Sequence, residues 1–303
     1  MTAEPSRSGG LGLSLVSAAS FSTSGSFAHA LIDAGWSPAA AVAIRCTVAA
    51  LLLTIPAAIE MRRGWGALRR GARTVIIYGV VTVGGCQICY FNAFQHMPVG
   101  LALLLEYLGI VLIVGWLWWK GQRPSRLTVA GSVTALVGLW FVIDPSGDRH
   151  VDAVGVLWAL GAAVGLASYF ILSASSTEAL PPATLACSGM VVGTITVLGC
   201  GAAGLVPLHA ASNDVQLAGH HVGLWLPVLG LALVATAIPY VVGIRAARRL
   251  GPKLASFVSL TEVIFAVIVA WLLLGELPTP WQILGGAIIV AGVALVRLDE
   301  LIR

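Results

Sequence analysis

The 303-residue chain is 58% hydrophobic and only 10% charged, with a mean hydropathy of +0.94. An ordinary soluble domain is excluded, and the chain reads as an integral membrane protein. Its formal charge of +4 would suit a nucleic-acid binder, but the basic residues are spread over alternate connectors instead of forming one patch, so no nucleic-acid partner is expected.

A membrane-spanning helix needs about 20 mostly apolar residues. Ten such stretches follow one another, at about 10–32, 37–59, 74–95, 98–119, 126–144, 152–175, 181–205, 222–244, 252–274 and 279–297. The first carries a polar run with Ser20, Ser22, Thr23, Ser24, Ser26 and His29. Arg7 before it and Ala28-His29-Ala30 at its end also suit a signal peptide, but the apolar part is longer than an ordinary signal core and is interrupted by hydroxyls, as in a cavity-lining helix. The second span holds Arg45, and the third holds Gln87, Tyr90, Asn92 and Gln95. The fourth, GLALLLEYLGIVLIVGWLWW, carries Glu106 and Tyr107, and the ninth carries Ser256, Ser259, Thr261 and Glu262. Trp116, Trp118, Trp119, Trp225 and Trp281 lie near span ends and read as interface anchors.

The longest connector, 206–221, is too short for a soluble domain. Its His209, His220 and His221 read as solvated residues, since adjacent histidines rarely chelate one ion and only Asp214 accompanies them. All five cysteines fall inside spans, an odd number at membrane depth, which argues against disulfides. Cys86 and Cys89, from CQIC, have redox or metal spacing but no second pair, and read as small apolar filler. No metal and no cofactor are expected.

Arg62, Arg63, Arg69, Arg70 and Arg73 follow span two, Lys120, Arg123 and Arg126 follow span four, and Arg245, Arg248, Arg249 and Lys253 follow span eight. With Arg7, Arg297 and Arg303, fifteen of the 17 basic residues fall on one side; Arg149 and Arg45 are the others. The positive-inside rule then puts both termini in the cytoplasm. An internal repeat agrees with that. Gly121, Pro124, Gly131 and Gly138 match Gly275, Pro278, Gly285 and Gly292 at a constant offset of 154. Five spans per copy is an odd number, so the copies enter the membrane from opposite sides. The expected architecture is all-α integral membrane, ten transmembrane helices as two inverted five-helix repeats over 1–147 and 148–303. The paired glycines, seven apart and on one helix face, read as packing positions.

Several stretches carry a likeness to known proteins: AAVAIRCTVAALLLTIP around Arg45, YFNAFQHMPVGLALLLEYLG at 90–109, GQRPSRLTVAGSVTALVGLWFV at 121–142, GVLWALGAAVGLASYFIL at 155–172, IRAARRLGPKLASFVSLTEVIFAVIVAWLLLGE at 244–276 and WQILGGAIIVAGVAL at 281–295. They resemble the EamA-type transporters of the drug/metabolite transporter superfamily over nearly the whole chain, and GLALLLEYLG resembles the threonine/homoserine exporter branch. The resemblance implies a ten-helix bundle around a central cavity, moving small polar metabolites such as amino acids across the cytoplasmic (inner) membrane. Where that family commonly has proline after these acids, this chain has Gly109-Ile110 and Val263, so no proline-dependent kink is expected at either.

Arg45, Glu106 and Glu262 lie about 8 to 10 residues into their spans, roughly 12–15 Å deep. Each would cost about 2.5–3.5 kcal/mol at a helix centre, so exposure to lipid is not expected. One reading makes them structural, with Arg45 neutralising a carboxylate. The other gives the carboxylates a proton or a substrate ammonium to bind, with Arg45 as counter-charge or carboxylate-binding group. Glu106 and Glu262 are not repeat-equivalent at offset 154. Ser20/Ser24, Gln87/Tyr90 and Ser256/Ser259 share helix faces and suit a wet pathway, although membrane Ser and Thr also bond their own backbone. Tyr107, Tyr169, Tyr240 and Trp158 would form an aromatic gate or simply pack. The candidate substrate-binding set is Glu106, Glu262, Arg45, Gln87, Tyr90, Asn92, Tyr107, Tyr169, Tyr240, Ser24 and Ser259.

The leading functional reading is a secondary transporter, a small-metabolite or amino-acid exporter working by alternating access, with lipid and a small molecule as partners and protons and a homodimer left open. A facilitative or other-metabolite transporter of the same fold is the alternative. An enzyme is not expected, since there is no HExxH, no GxSxG and no paired Asp. A structural or lipid-handling protein would require a cavity with apolar walls alone.

Overall fold

The computed structural model describes residues 7–61, 66–96, 102, 105–142, 153–174, 180–211, 215–217, 220–274 and 279–302. The boundary expected at 147/148, and Gln95, Arg149, Asp214, Gly275 and Pro278 or their side chains, lie outside the described residues.

In chain order the helices are α1 (Arg7–Phe21), α2 (Ser24–Asp33), α3 (Pro38–Met61), α4 (Gly66–Arg70), α5 (Ala72–Ile77) and α6 (Cys86–His96), with a π-helical stretch, Tyr78–Gly85, joining α5 to α6. Then come α7 (Gly109–Trp119), α8 (Arg126–Val142), α9 (Ala153–Ala174) and α10 (Pro182–Ala202). A hairpin follows, β1 (Val215–Leu217) against β2 (His220–Val222). The last elements are α11 (Trp225–Leu229), a second π-helical stretch (Gly230–Ala237), α12 (Ile238–Ser259), α13 (Thr261–Leu274) and α14 (Pro280–Ile302). Five described helices are long and apolar enough to cross a membrane: Pro38–Met61, Ala72–Ala93, Ala153–Ala174, Pro182–Ala202 and Trp225–Ser259. Shorter apolar helices cover Leu105–Trp119, Arg126–Phe141 and Ile283–Val296.

Packing follows membrane rules. In α3 the buried face is mostly alanine, while Leu51, Ile55 and Ile59 point outward at 68, 70 and 58% exposure. Small side chains let helices approach, and the acyl chains cover the large ones. The repeat glycines act in this way: a Cβ on Gly131 would fall 2.8 Å from Gly292 O, and one on Gly292 would fall 2.8 Å from Gly131 O. Gly138 meets Gly285 O at 2.7 Å in the same sense. Each repeat position thus touches the counterpart of its neighbour, the signature of a twofold axis. Because α8 and α14 run antiparallel, that axis lies across the helices, in the membrane plane.

Another closely packed pair, α3 and α10, is tied at both ends. Ser37 N donates to His209 O at 2.9 Å, and Thr184 N donates to Glu60 Oε2 at 3.0 Å, where Glu60 also pairs with Arg245 at 3.6 Å. The glutamate thereby supplies an acceptor to the open N-terminus of α10.

Three departures from the sequence reading matter for the site. The first span is broken at Ser22-Thr23, whose hydroxyls donate to Ala19 O and Ser20 O, three residues back, at 2.7 Å each. Such bonds compete with the i→i−4 ladder. Spans eight and nine run together through α12, which breaks at Gly251 (φ 79°, ψ 164°), a conformation available to glycine because it has no Cβ. Both acid-bearing helices also break, without proline: Leu108 N donates to Leu105 O and Leu260 N to Phe257 O, each at 3.1 Å in a tight i→i−3 turn. Ser259 and Thr261 donate to carbonyls three residues back beside the second break, at 2.6 and 2.7 Å. Apart from the site, the 206–221 connector is not all loop: Val215 of the hairpin is buried against Ala30 and Ala34, while His220 and His221 are exposed.

Candidate functional site

Where the broken helices meet, a buried cavity of about 100 Å³ opens. Its walls come from both halves: α1, the third span and Glu106 from the first, and α9, α12 and Glu262 from the second. The two carboxylates enter from the segments beside the Leu108 and Leu260 turns, so each sits at a helix break instead of inside a continuous wall.

Each acid has a defined neighbour. Cys86 Sγ lies 3.5 Å from Glu106 Oε1 and 3.5 Å from Ala162 O, so one thiol proton has two acceptors within reach. Gly165 on α9 leaves room for that cysteine, since a Cβ there would collide with it. Tyr107 Oη lies 3.2 Å from Glu262 Oε2 and 3.2 Å from Ser259 O. Tyr107 itself is buried outside the cavity wall.

Arg45 is only 3% exposed and does not line the cavity. Its Nη1 donates to Gln87 Oε1 at 3.2 Å and to Ser24 Oγ at 3.4 Å. It therefore ties α3 to α2 and α6 and holds the carbonyl oxygen of a cavity-lining amide. A buried cation survives only with such partners. Its Nε has no partner among the described residues.

An aromatic wall closes another side. Tyr240 packs edge-on against Phe21 at 5.3 Å and Tyr169 at 5.5 Å, and Tyr169 against Phe170 at 4.9 Å. The Tyr169 hydroxyl is buried with no hydrogen-bond partner among the described residues. It sits over Gly243, which has no side chain to displace it, beside Ser17 Oγ. A buried hydroxyl left unpaired costs about 1–3 kcal/mol, so its place in a polar cavity wall is where a ligand or water would satisfy it.

Of the residues singled out from sequence, Glu106, Glu262, Gln87, Tyr169, Tyr240 and Ser259 share this cavity. Arg45 and Tyr107 stand one hydrogen bond behind it, and Ser24, bonded to Arg45, stands one further back. Asn92 donates to Ile88 O at 2.8 Å and lies elsewhere. Tyr90 packs edge-on against Phe91 at 5.7 Å and, with Trp158, against the cluster of Ala93, Ala102 and Ala159. Sequence reasoning passed over Ser14, Ser17 and Thr82 and read Cys86 as apolar filler, yet all four line the cavity. The three-residue spacing of Ser14 and Ser17 was a readable signal; the role of Cys86 was not, because its acid partner is 20 residues away.

A family model described as the EamA-like transporter family matches residues 8–144 and again 153–298. The chain belongs to the EamA-like transporter family. It is 30% identical to the threonine/homoserine exporter RhtA of Escherichia coli K12 over 222 residues, 72% of this chain and 68% of the exporter. It is 28% identical over 206 residues to an uncharacterized transporter of Archaeoglobus fulgidus, 68% of this chain and 70% of that one. A known crystal structure superposes with a TM-score of 0.77 at 22% identity, covering 97% of this chain and 98% of the other, a likeness of fold. The protein is thus a multi-pass membrane transporter acting on a small molecule, a member of the drug/metabolite transporter group, and its relatives are transporters, not enzymes.

Proposed function

We propose that this EamA-family protein exports small amino acids or closely related amines, threonine-like solutes first among them, and that the cavity at Glu106 and Glu262 is where they bind. The observation that carries the reading is the convergence of two carboxylates from two broken helices, one per half, on a single cavity whose Tyr169 hydroxyl has no partner among the described residues. The carboxylates hold the solute's ammonium, or a proton in its absence. Gln87, its carbonyl oxygen engaged by Arg45, offers its amide hydrogens to a solute carboxylate or hydroxyl, and Tyr169 supplies a further donor. Ser259 and the Tyr240 ring complete the wall; Arg45, Ser24 and Tyr107 position it.

A volume of about 100 Å³ corresponds to roughly three waters at ~30 Å³ each, well below the usual ~300–1,000 Å³ of drug-sized ligand pockets. This favours a small solute. The in-plane twofold axis gives the two halves near-equivalent alternative packings, the basis for exposing the cavity to each side in turn. The Lys/Arg bias assigns both termini to the cytoplasm. The test is a thermal-shift screen of purified protein against amino acids, amino alcohols and organic acids, since a native-state ligand raises stability with its concentration. Threonine, homoserine or a similar amino acid should shift the transition. A flat response to all amines, with a shift from organic acids, would overturn the reading.

A further inference from the structure

We propose a second binding site, at the Lys/Arg-rich end of the bundle, for a phosphate-bearing anion, the headgroup of an anionic phospholipid being the source its surroundings favour. A cleft of about 630 Å³ lies between the end of α7, the start of α8, the end of α9 and the Gly251-Pro252 break in α12. Lys120, Arg123 and Lys253 line it, and no acidic side chain does among the described residues. It shares no lining residue with the cavity at Glu106 and Glu262, so it stands apart from that site.

The cations are placed by specific contacts. Lys253 Nζ lies 3.6 Å from Asp299 Oδ2 and 3.4 Å from Thr128 Oγ1. Asp299 is 4% exposed and accepts the Thr128 hydroxyl at 2.7 Å. This buried carboxylate faces Lys253 from α14 and offsets one charge, leaving Lys120 and Arg123 in excess. Lys120 Nζ sits 4.6 Å over the Trp116 ring, and a guanidinium such as that of Arg123 matches two phosphate oxygens at once. Three helix ends and two helix starts meet at the cleft, counting both sides of the Gly251 break, so their dipoles offer an anion no net attraction and the side-chain cations supply the positive field. The fold does not demand them: GELPTP, the repeat counterpart of GQRPSR, has no basic residue.

The shape favours a lipid. Below the cations the wall is apolar, with Val114, Leu117, Ile171 and Leu250, and Trp118 and Trp119, 60 and 85% exposed, sit at the same helix end, as interface anchors do. A cationic mouth over an apolar wall accommodates a phosphate and the start of an acyl chain. Basic pockets between membrane helices bind anionic headgroups in this manner.

The test measures the thermal transition of the purified protein in neutral detergent against dioctanoyl phosphatidylglycerol, dioctanoyl phosphatidylcholine and inorganic phosphate, for the wild type and the K120Q/R123Q double variant. Phosphatidylglycerol should raise the wild-type transition where phosphatidylcholine does not. The half-maximal concentration should rise about five-fold per cation removed, about 30-fold in the double variant. A phosphoglycerol-specific response with none to inorganic phosphate assigns the lipid; an equal response to inorganic phosphate, lost in the variant, keeps the anion site and assigns its source to water. No wild-type response to either anion, an equal response to phosphatidylcholine, or an undiminished response in the variant would each overturn the proposal. Both residues are exposed, and the single variants K120Q and R123Q carry the same comparison should the double variant not fold.

Discussion

Gly243→Ala adds one methyl to the cavity wall, directly under the Tyr169 hydroxyl. Its Cβ would collide with Tyr169 Oη and fall 2.8 Å from Ser17 Oγ. The tyrosine cannot swing aside freely, because its ring is held by Phe170 at 4.9 Å, Tyr240 at 5.5 Å and Tyr78 at 6.2 Å. The methyl takes about one water's share, ~30 Å³, of a cavity of about 100 Å³. Overpacking of this kind costs ~1–3 kcal/mol, which, paid on solute binding, is about 5- to 150-fold in Kd. The assay is calorimetric titration of threonine, or the best solute from the screen, into purified wild type and G243A, with the ligand-free Tm measured alongside. Gly115→Ala is the control, since a Cβ there meets nothing within 4 Å. Equal Kd values for wild type and G243A at unchanged Tm would refute the placement of the solute against Tyr169.

Gly138→Val should lower Tm, because its Cβ would meet Ile289 N at 2.6 Å and Gly285 O at 2.7 Å, backbone atoms that yield only if α8 and α14 separate; a loss of ~1–3 kcal/mol is expected, and an unchanged Tm would contradict the close approach. Arg45→Leu should destabilise by about 1–3 kcal/mol by leaving Gln87 Oε1 without its donor, read as a fall in Tm that Arg45→Lys partly restores; a variant as stable as wild type would leave Arg45 without a structural role. Cys86→Ser keeps a donor near Glu106 and Cys86→Ala removes it, so transport should fall more in the alanine variant; equal rates would show that the thiol contact does not matter.

The membrane class, the two-repeat plan and the packing role of Gly131, Gly138, Gly285 and Gly292 were legible in sequence because composition and fixed-offset matches survive without coordinates. Depth along a helix was legible too: Glu106 and Glu262, singled out by counting residues into their spans, do line one cavity. Helix facing was not. The hydroxyls of Ser22 and Thr23 looked like a wet face but bond their own carbonyls, whereas Ser14 and Ser17, in the preceding turns, face the cavity. The breaks at Leu108 and Leu260 were hidden because no proline marks either one. The π-helical stretches at Tyr78–Gly85 and Gly230–Ala237 were hidden as well, since each shifts side-chain phase without any local residue that demands it. Asn92, five residues beyond Gln87, lies on a different face of α6 and bonds Ile88 O, and Tyr90 is not among the cavity-lining residues.

Counterflow of labelled threonine into proteoliposomes preloaded with unlabelled threonine, comparing wild type with Glu106→Gln, tests solute binding at the paired carboxylates most directly. Robust exchange by the wild type, abolished in a Glu106→Gln protein that retains its Tm, is the result expected. Undiminished exchange by that variant would contradict it.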